Sequence, residues 1–309
     1  MCLLLVALGE AHTQSPLANK RVLWLGDSIT QAGDYVTFAE YFLEKQYPAD
    51  RFDVISIGLA SETSSCLSEK THPFPRPCVQ ERLQRALALV KPQVVVACYG
   101  MNDGIYHPQS AERMQAFEQG IEKLIVAVHA ANAEMILLTP PPFDAQPVKA
   151  KVVPKSAADF GFMTPYQGYD AVLAEYARWE MQLPKSDATV IDLHGPMDAY
   201  LAKMRETEAD FSFARKDGIH PDMAGHLLMA RIVLRGLGVP VAGGDLSSAE
   251  ADSLYVLIRQ QREARSAGWL KYVGYTRGET VKSASVTDVE ERNGELQARI
   301  DALRRGVGK

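Results

Sequence analysis

The residues best suited to chemistry in this chain are a serine, a histidine and an aspartate, each beside a turn. Ser28 sits in Gly26-Asp27-Ser28-Ile29-Thr30, between the apolar run Val22-Leu23-Trp24-Leu25 and a stretch from Tyr35 to Tyr47 with apolar residues at helical spacing. A strand handing over to a helix there raises the hydroxyl above a sheet edge. It also puts the Ser28 amide near a helix start, where free N–H groups and the helix dipole favour a developing negative charge. Taken alone, Asp27-Ser28 reads equally well as a helix cap. Asp217 and His220 stand in Asp217-Gly218-Ile219-His220-Pro221, a spacing that lets the carboxylate reach imidazole Nδ1 within one turn of loop while Nε2 points toward Ser28. Acyl transfer needs this cast: a hydroxyl nucleophile, an imidazole to take its proton, a carboxylate to fix the imidazole's tautomer, and N–H donors for the oxyanion.

Strands must carry these groups to one place. Phe52 to Gly58 reads as a second strand, the continuous apolar run Val94 to Tyr99 as a central one, and Met135 to Leu138 and Ala188 to Leu193 as two more. Helical patterns lie between them, opening near Pro77, spanning Met114 to Val128, and covering Pro165 to Leu183, Pro196 to Glu208 and Met223 to Leu237. Alternating strands and helices predict a parallel sheet covered on both faces, with ligands bound where the loops leave the strands' carboxyl ends. Polar residues punctuate those ends: Ser28 after the first strand, Ser61-Glu62-Thr63 after the second, Asn102 after the third. The aperiodic stretch from Pro140 to Thr164 is expected to form a rim or lid over the site.

In order along residues 21 to 237, the blocks Gly26-Asp27-Ser28-Ile29-Thr30, the loop after Gly58, Gly100-Met101-Asn102-Asp103 and Asp217-Gly218-Ile219-His220 resemble the SGNH subset of the GDSL esterases and lipases. The resemblance implies a flavodoxin-like three-layer α/β/α hydrolase domain over residues 21–240, followed by a small helical extension over 241–309. It implies Ser28 as nucleophile, His220 as general base and then acid, and Asp217 as its orienting partner, with no metal or cofactor. The Ser28 N–H and the Asn102 side-chain amide would be oxyanion donors. The family's second block usually places a glycine donor where Ala60-Ser61-Glu62-Thr63 puts Ser61, so that role is carried to Ser61, with Gly58 as a second candidate. Asp27, Glu62, His72, Arg76, Tyr99 and Tyr106, with Phe74, His107 and Phe143 nearby, are expected to line the site, a mixture of aromatic and polar groups suited to sugar faces. By analogy with secreted bacterial relatives, the expected reaction is deacetylation of O-acetylated carbohydrate. A thioesterase or short-chain lipase with the same residues, and a carbohydrate-binding member without activity, are the alternatives.

A net charge of −5 over 309 residues gives no basic footprint for nucleic acid, and points to a neutral or weakly charged ester substrate. The apolar start Cys2 to Leu8, with small residues around Gly9 and Ala11, reads as a secretory leader within residues 1–20, lacking a basic start, and implies a secreted or periplasmic protein. No other stretch is long and apolar enough to span a bilayer. In an oxidising compartment a disulfide between Cys66 and Cys78 could close the proline-rich loop they bracket, a pairing the sequence leaves open, while Cys98 reads as a buried hydrophobe. After Gly243-Gly244, a helix over Ser253 to Arg265 and an apolar stripe from Val289 to Val307 are expected to pack on the body, in a monomer or homodimer.

Overall fold

The computed structural model describes residues 15–241 and 245–306. Residues 1–14 of the leader expected over 1–20, Cys2 with them, and the Gly243-Gly244 junction lie outside the described residues, whereas residues 15–20 are part of the folded body, with Leu17 and Ala18 in the core and Asn19 N donating to Arg51 O at 2.8 Å. Five strands, β1 (Arg21–Gly26), β2 (Asp53–Ser56), β3 (Val94–Cys98), β4 (Glu134–Leu138) and β5 (Thr189–Ile191), form one parallel sheet in the order β2-β1-β3-β4-β5. This is the flavodoxin-like arrangement. The register sets Leu23 beside both Ile55 and Val95, and Val96 beside Ile136. Leu23, Leu25, Val94, Val95 and Ala97 are fully buried, as continuous apolar strands with cover on both faces must be.

Helices α1 (Ser28–Ala32) and α2 (Asp34–Gln46) follow β1, α3 (Val79–Val90) follows β2, and α4 (Ala111–Ala130) joins β3 to β4. Beyond β4 come α5 (Tyr169–Glu180), α6 (His194–Arg205) and α7 (Met223–Gly236). The helix after β1 begins at Ser28 itself, earlier than the apolar periodicity indicates, because the Asp27 carboxylate caps it and Gly33 ends it in the left-handed conformation. α5 starts later than Pro165 because residues 165–167 are spent on the rim. Tyr166 N donates to Tyr106 O at 2.9 Å, and Val153 exchanges backbone hydrogen bonds with Pro165 and Gln167.

The C-terminal part folds as α8 (Leu246–Glu250), α9 (Ser253–Val273), a two-stranded hairpin β6 (Tyr275–Arg277) and β7 (Glu279–Val281), and α10 (Thr287–Arg304). α9 runs past the expected end at Arg265 and packs on α2, α3 and β2. Tyr255, Ile258, Trp269 and Val273 enter the same hydrophobic core as the sheet, and α10 packs along α9 through Leu296 and Ile300. Arg265 is the polar fastener: it donates to Val54 O at 2.9 Å and pairs with Asp53 at 2.7 Å and Glu290 at 2.9 Å. Arg262 adds a bond to the Thr37 hydroxyl. The hairpin has no counterpart in the sequence reading, because its three-residue strands carry no apolar alternation. Among the described residues no helix is long and apolar enough to cross a membrane.

Because Ile258 is fully buried where α9 meets the body, Ile258→Ala should cost about 2–4 kcal/mol, measured by urea denaturation. A single transition is expected to move as a whole, since α9 and the sheet share one core.

Candidate active site

The handover from β1 to α1 places Ser28 as the first residue of a helix, where its N–H has no carbonyl of the preceding turn to bond. Asp27 Oδ1 accepts from Ile29 N at 2.9 Å, so the capping reading of this turn holds alongside the chemical one. The Ser28 hydroxyl donates to His220 Nε2 at 2.7 Å, and His220 Nδ1 donates to Asp217 Oδ2 at 2.8 Å. The other carboxylate oxygen, Asp217 Oδ1, accepts the backbone N–H of Ile219 at 3.0 Å and of His220 at 2.9 Å, which fixes the short loop between them. With Nδ1 committed as the donor, Nε2 is left with a lone pair facing the serine.

The charges match that tautomer. Burial works to raise the Asp217 pKa, but hydrogen bonds from the His220 ring and from the backbone of His220 and Ile219 outweigh it and bring it down to about 2. The Asp217 hydrogen bond, with its negative charge, raises the His220 pKa above the ordinary imidazole value against the opposing effect of burial. Burial also lifts the Asp27 carboxyl well above the usual carboxylate range.

Asn102 comes in on the turn after β3 and is almost completely buried. Its Oδ1 accepts from Arg76 Nη1 and from the Tyr106 hydroxyl, each at 3.0 Å, so Nδ2 must face the other way. There it donates to Glu62 O at 3.2 Å and, at a long 3.3 Å, to Asp27 Oδ2. Ser61 lies on the turn after β2 with φ +69°, the left-handed conformation that glycine adopts without cost. The serine therefore keeps the backbone shape that the resemblance associates with glycine. At Gly58 a Cβ would come within 2.3 Å of Gln31 N, so this glycine lets the β2 loop lie directly against α1.

Several expected lining residues turn out to be scaffold. Glu62 and Arg82 form a fully buried two-point ion pair with both contacts at 2.6 Å, and the Tyr99 hydroxyl donates to Glu62 at 2.7 Å, so neither Glu62 nor Tyr99 is open to a substrate. Arg76 is clamped by Glu69 at 2.5 and 2.6 Å and directs Nη1 to both Asn102 Oδ1 and Ser61 O. Tyr106 is buried with its hydroxyl on Asn102, Phe143 is buried beside Tyr169, and Asp27 is enclosed behind Ser28. Of the six residues expected to bind substrate, only His72 is not buried: its ring meets Ser61 Oγ at 3.2 Å and packs edge-on against Phe74 and Phe162. His107 is half-buried against Phe160. Position on the loops at the strand ends puts these residues near the site but does not reveal which of them are already bonded to one another.

The sequence reading missed two supports. Asp103 is fully buried and accepts from Ser64 N, Ser64 Oγ, Ser65 N and Gly100 N, which binds the β2 loop to the β3 loop. Its position beside Asn102 was the available signal. Asp144 in the 140–164 rim takes two bonds from Arg205, and its N–H donates to Gly218 O at 2.8 Å, so the rim is pinned to the loop between Asp217 and His220. Cys66 and Cys78 are disulfide-bonded, closing the loop that carries His72, Phe74 and Arg76, and Cys98 is free and buried. Among the described residues no group of His, Cys, Asp and Glu is placed to hold a metal ion.

The model of the GDSL-like lipase/acylhydrolase family matches residues 24–228. The chain belongs to that family. It is a serine ester hydrolase of the GDSL-like type, and the match ends before α9 and the hairpin begin. Solved structures similar to this hydrolase include a catalytic mutant of Axe2, an acetylxylan esterase from Geobacillus stearothermophilus, at 19% identity and TM-score 0.53, covering 74% of this chain and 98% of that one. A second Axe2 variant, described as an acetyl-xylooligosaccharide esterase, gives 19% identity and TM-score 0.54 with the same coverage. A gut microbial diltiazem-metabolizing enzyme gives 18% identity and TM-score 0.54 over 73% of this chain, which spans 48% of that protein's length. At these identities the likeness is one of fold. No curated protein matches the hydrolase in sequence.

Arg82→Met would leave the Glu62 carboxylate buried without its cation. The expected loss is about 3–5 kcal/mol of stability, read from the urea midpoint.

Proposed function

We propose that this GDSL-like hydrolase removes acetyl groups from O-acetylated carbohydrate through a covalent acyl-enzyme. The observation that carries the reading is the continuous relay from Ser28 Oγ to His220 Nε2 at 2.7 Å and from Nδ1 to Asp217 at 2.8 Å. As a substrate carbonyl arrives, Ser28 Oγ attacks its carbon while Nε2 takes the hydroxyl proton. Asp217 holds the ring and stabilises the imidazolium that forms. The negative charge on the former carbonyl oxygen falls among the Ser28 N–H, the Ser61 N–H and Asn102 Nδ2, whose long bond to Asp27 is the one a stronger acceptor would displace. His220 then returns the proton to the departing sugar oxygen. A water, deprotonated by the same imidazole, releases acetate and restores the serine.

Three features support carbohydrate as the alcohol. His72, Phe74 and Phe162 form a half-buried aromatic edge beside Ser61, an apolar surface on which a sugar face can stack. The relatives of like fold include esterases described as acting on acetylated xylan and xylooligosaccharide. The chain's net charge of −5 does not favour acidic substrates. The Cys66–Cys78 disulfide, together with the apolar start of the sequence, supports an oxidising compartment outside the cytoplasm.

Ser28→Ala should reduce acetate release from acetylated xylan by roughly 10⁶-fold while leaving the denaturation curve intact. Retained release would sink the acyl-enzyme reading, whereas serine-dependent turnover of an aryl ester alone would move the natural substrate away from polysaccharide. Protonated His220 cannot accept the serine proton, so kcat/KM should rise with pH, and the limb should lie above the ordinary imidazole value because Asp217 raises the His220 pKa. Asp217→Asn removes the largest cause of that shift. It should move the limb to lower pH and cut kcat by about 10⁴-fold, as a rate–pH profile would record.

A further inference from the structure

The peptide joining Ala60 to Ser61 carries the N–H that the proposed mechanism aims at the oxyanion, and its opposite end is held from beyond the family-matched region. Arg277, at the tip of the β6–β7 hairpin, donates from Nε to Ala60 O at 3.0 Å. The same guanidinium lies over the Phe74 ring, 4.9 Å from its centroid. Gly278 makes this approach feasible: its φ is +70°, and a Cβ added there would meet the Phe74 ring at 3.3 Å. The hairpin's base is fastened too, since Arg85 on α3 donates to Val273 O at 3.2 Å and Gly274 O at 3.3 Å.

A peptide is planar, so fixing its C=O also fixes the direction of its N–H. Cationic donation to the carbonyl polarises the amide as well, and hydrogen bonds on the two ends of one peptide reinforce each other by about 10–30%. Ser61 is held at φ +69°, where a residue with a side chain does not rest unaided. Its loop is gripped on several sides: Gln31 Oε1 accepts from Ala60 N at 2.6 Å, Arg76 donates to Ser61 O at 3.3 Å, and Arg277 supplies the bond to Ala60 O.

We propose that Arg277 is a positioning residue for the esterase site, reaching from the C-terminal hairpin to orient and polarise the Ala60–Ser61 peptide so that Ser61 N–H points at the oxyanion. The inference rests on the reading of Ser61 as an oxyanion donor and extends the site to a part of the chain that the family match does not include. Arg277 touches no reacting atom. A group that merely tied the hairpin down would alter stability or substrate affinity, whereas one that shapes the oxyanion hole alters the stabilisation of the tetrahedral state.

The test uses the full chain and an aryl acetate, comparing wild type with Arg277→Gln, Arg277→Lys, Glu279→Gln and Ser28→Ala. Arg277→Gln should lower kcat on the order of tenfold with KM within about twofold, a part of the loss that follows complete removal of an oxyanion donor. The affinity for phenylboronic acid, which mimics the tetrahedral state, should fall by the same factor. Arg277→Lys, which keeps the charge but loses the planar Nε donor, should lie between Arg277→Gln and wild type, and Glu279→Gln, at the same hairpin tip, should match wild type. Wild-type kcat in both Arg277 variants, a change confined to KM, or an equal loss in Glu279→Gln would overturn the proposal. If Arg277→Gln fails to fold, Arg277→Lys decides, with wild-type kcat and boronate affinity overturning it. Ser28→Ala separates the two layers: turnover persisting there sinks the esterase reading itself, while loss there with an unaffected Arg277→Gln sinks only the hairpin's role.

Discussion

A carboxylate that does not meet water holds the working loops together. Asp103 follows β3, and its four donors come from both the β2 loop and the β3 turn. Burying a carboxylate is costly unless its oxygens are fully bonded, and burial does push the Asp103 pKa up while the surrounding N–H and O–H groups resist. The outcome is geometric. Ser61, three residues before Ser64, and Asn102, next to Asp103, keep a fixed separation because one side chain closes both turns.

Two buried ion pairs repeat that logic at larger radius. Glu62–Arg82 anchors the β2 loop to α3, and Glu69–Arg76 anchors the disulfide-closed loop to Asn102. Pairs of this kind contribute little net stability, since desolvation consumes much of the attraction, but they specify one arrangement over others of similar compactness. Here they aim the Asn102 amide: with Arg76 and Tyr106 both donating to Oδ1, only one orientation of that side chain satisfies its surroundings. Energy that could have gone into a greasier core has gone into direction.

The order of elements, the parallel sheet and the residues Ser28, Asn102, Asp217 and His220 were legible because each depends on local signals: apolar runs for β1 and β3, and polar residues at strand ends. Glu62, Arg76, Tyr99 and Tyr106 were legible as neighbours of the site but not in their part, since sequence position says nothing about which partner a side chain has already chosen. The left-handed turn at Ser61 was hidden because serine is an uncommon tenant of that conformation. The hairpin was invisible for a different reason. Tyr275 to Val281 has only short, largely exposed strands, and its form depends on what Arg277 and Gly278 meet on the β2 side of the site.

The position of α9 matters beyond the site. β2 is the last strand on its side of the sheet, so its outer backbone groups would otherwise form an open template for pairing with another chain. Arg265, reaching Val54 O and Asp53 from α9, occupies that template with a charged side chain and brings a helix to cover it. A chain shortened before α9 would thus have a sticky edge as well as a missing appendage. Such a fragment would lose the core contacts of Tyr255, Ile258, Trp269 and Val273 and, in addition, leave β2 open to pairing with a second copy.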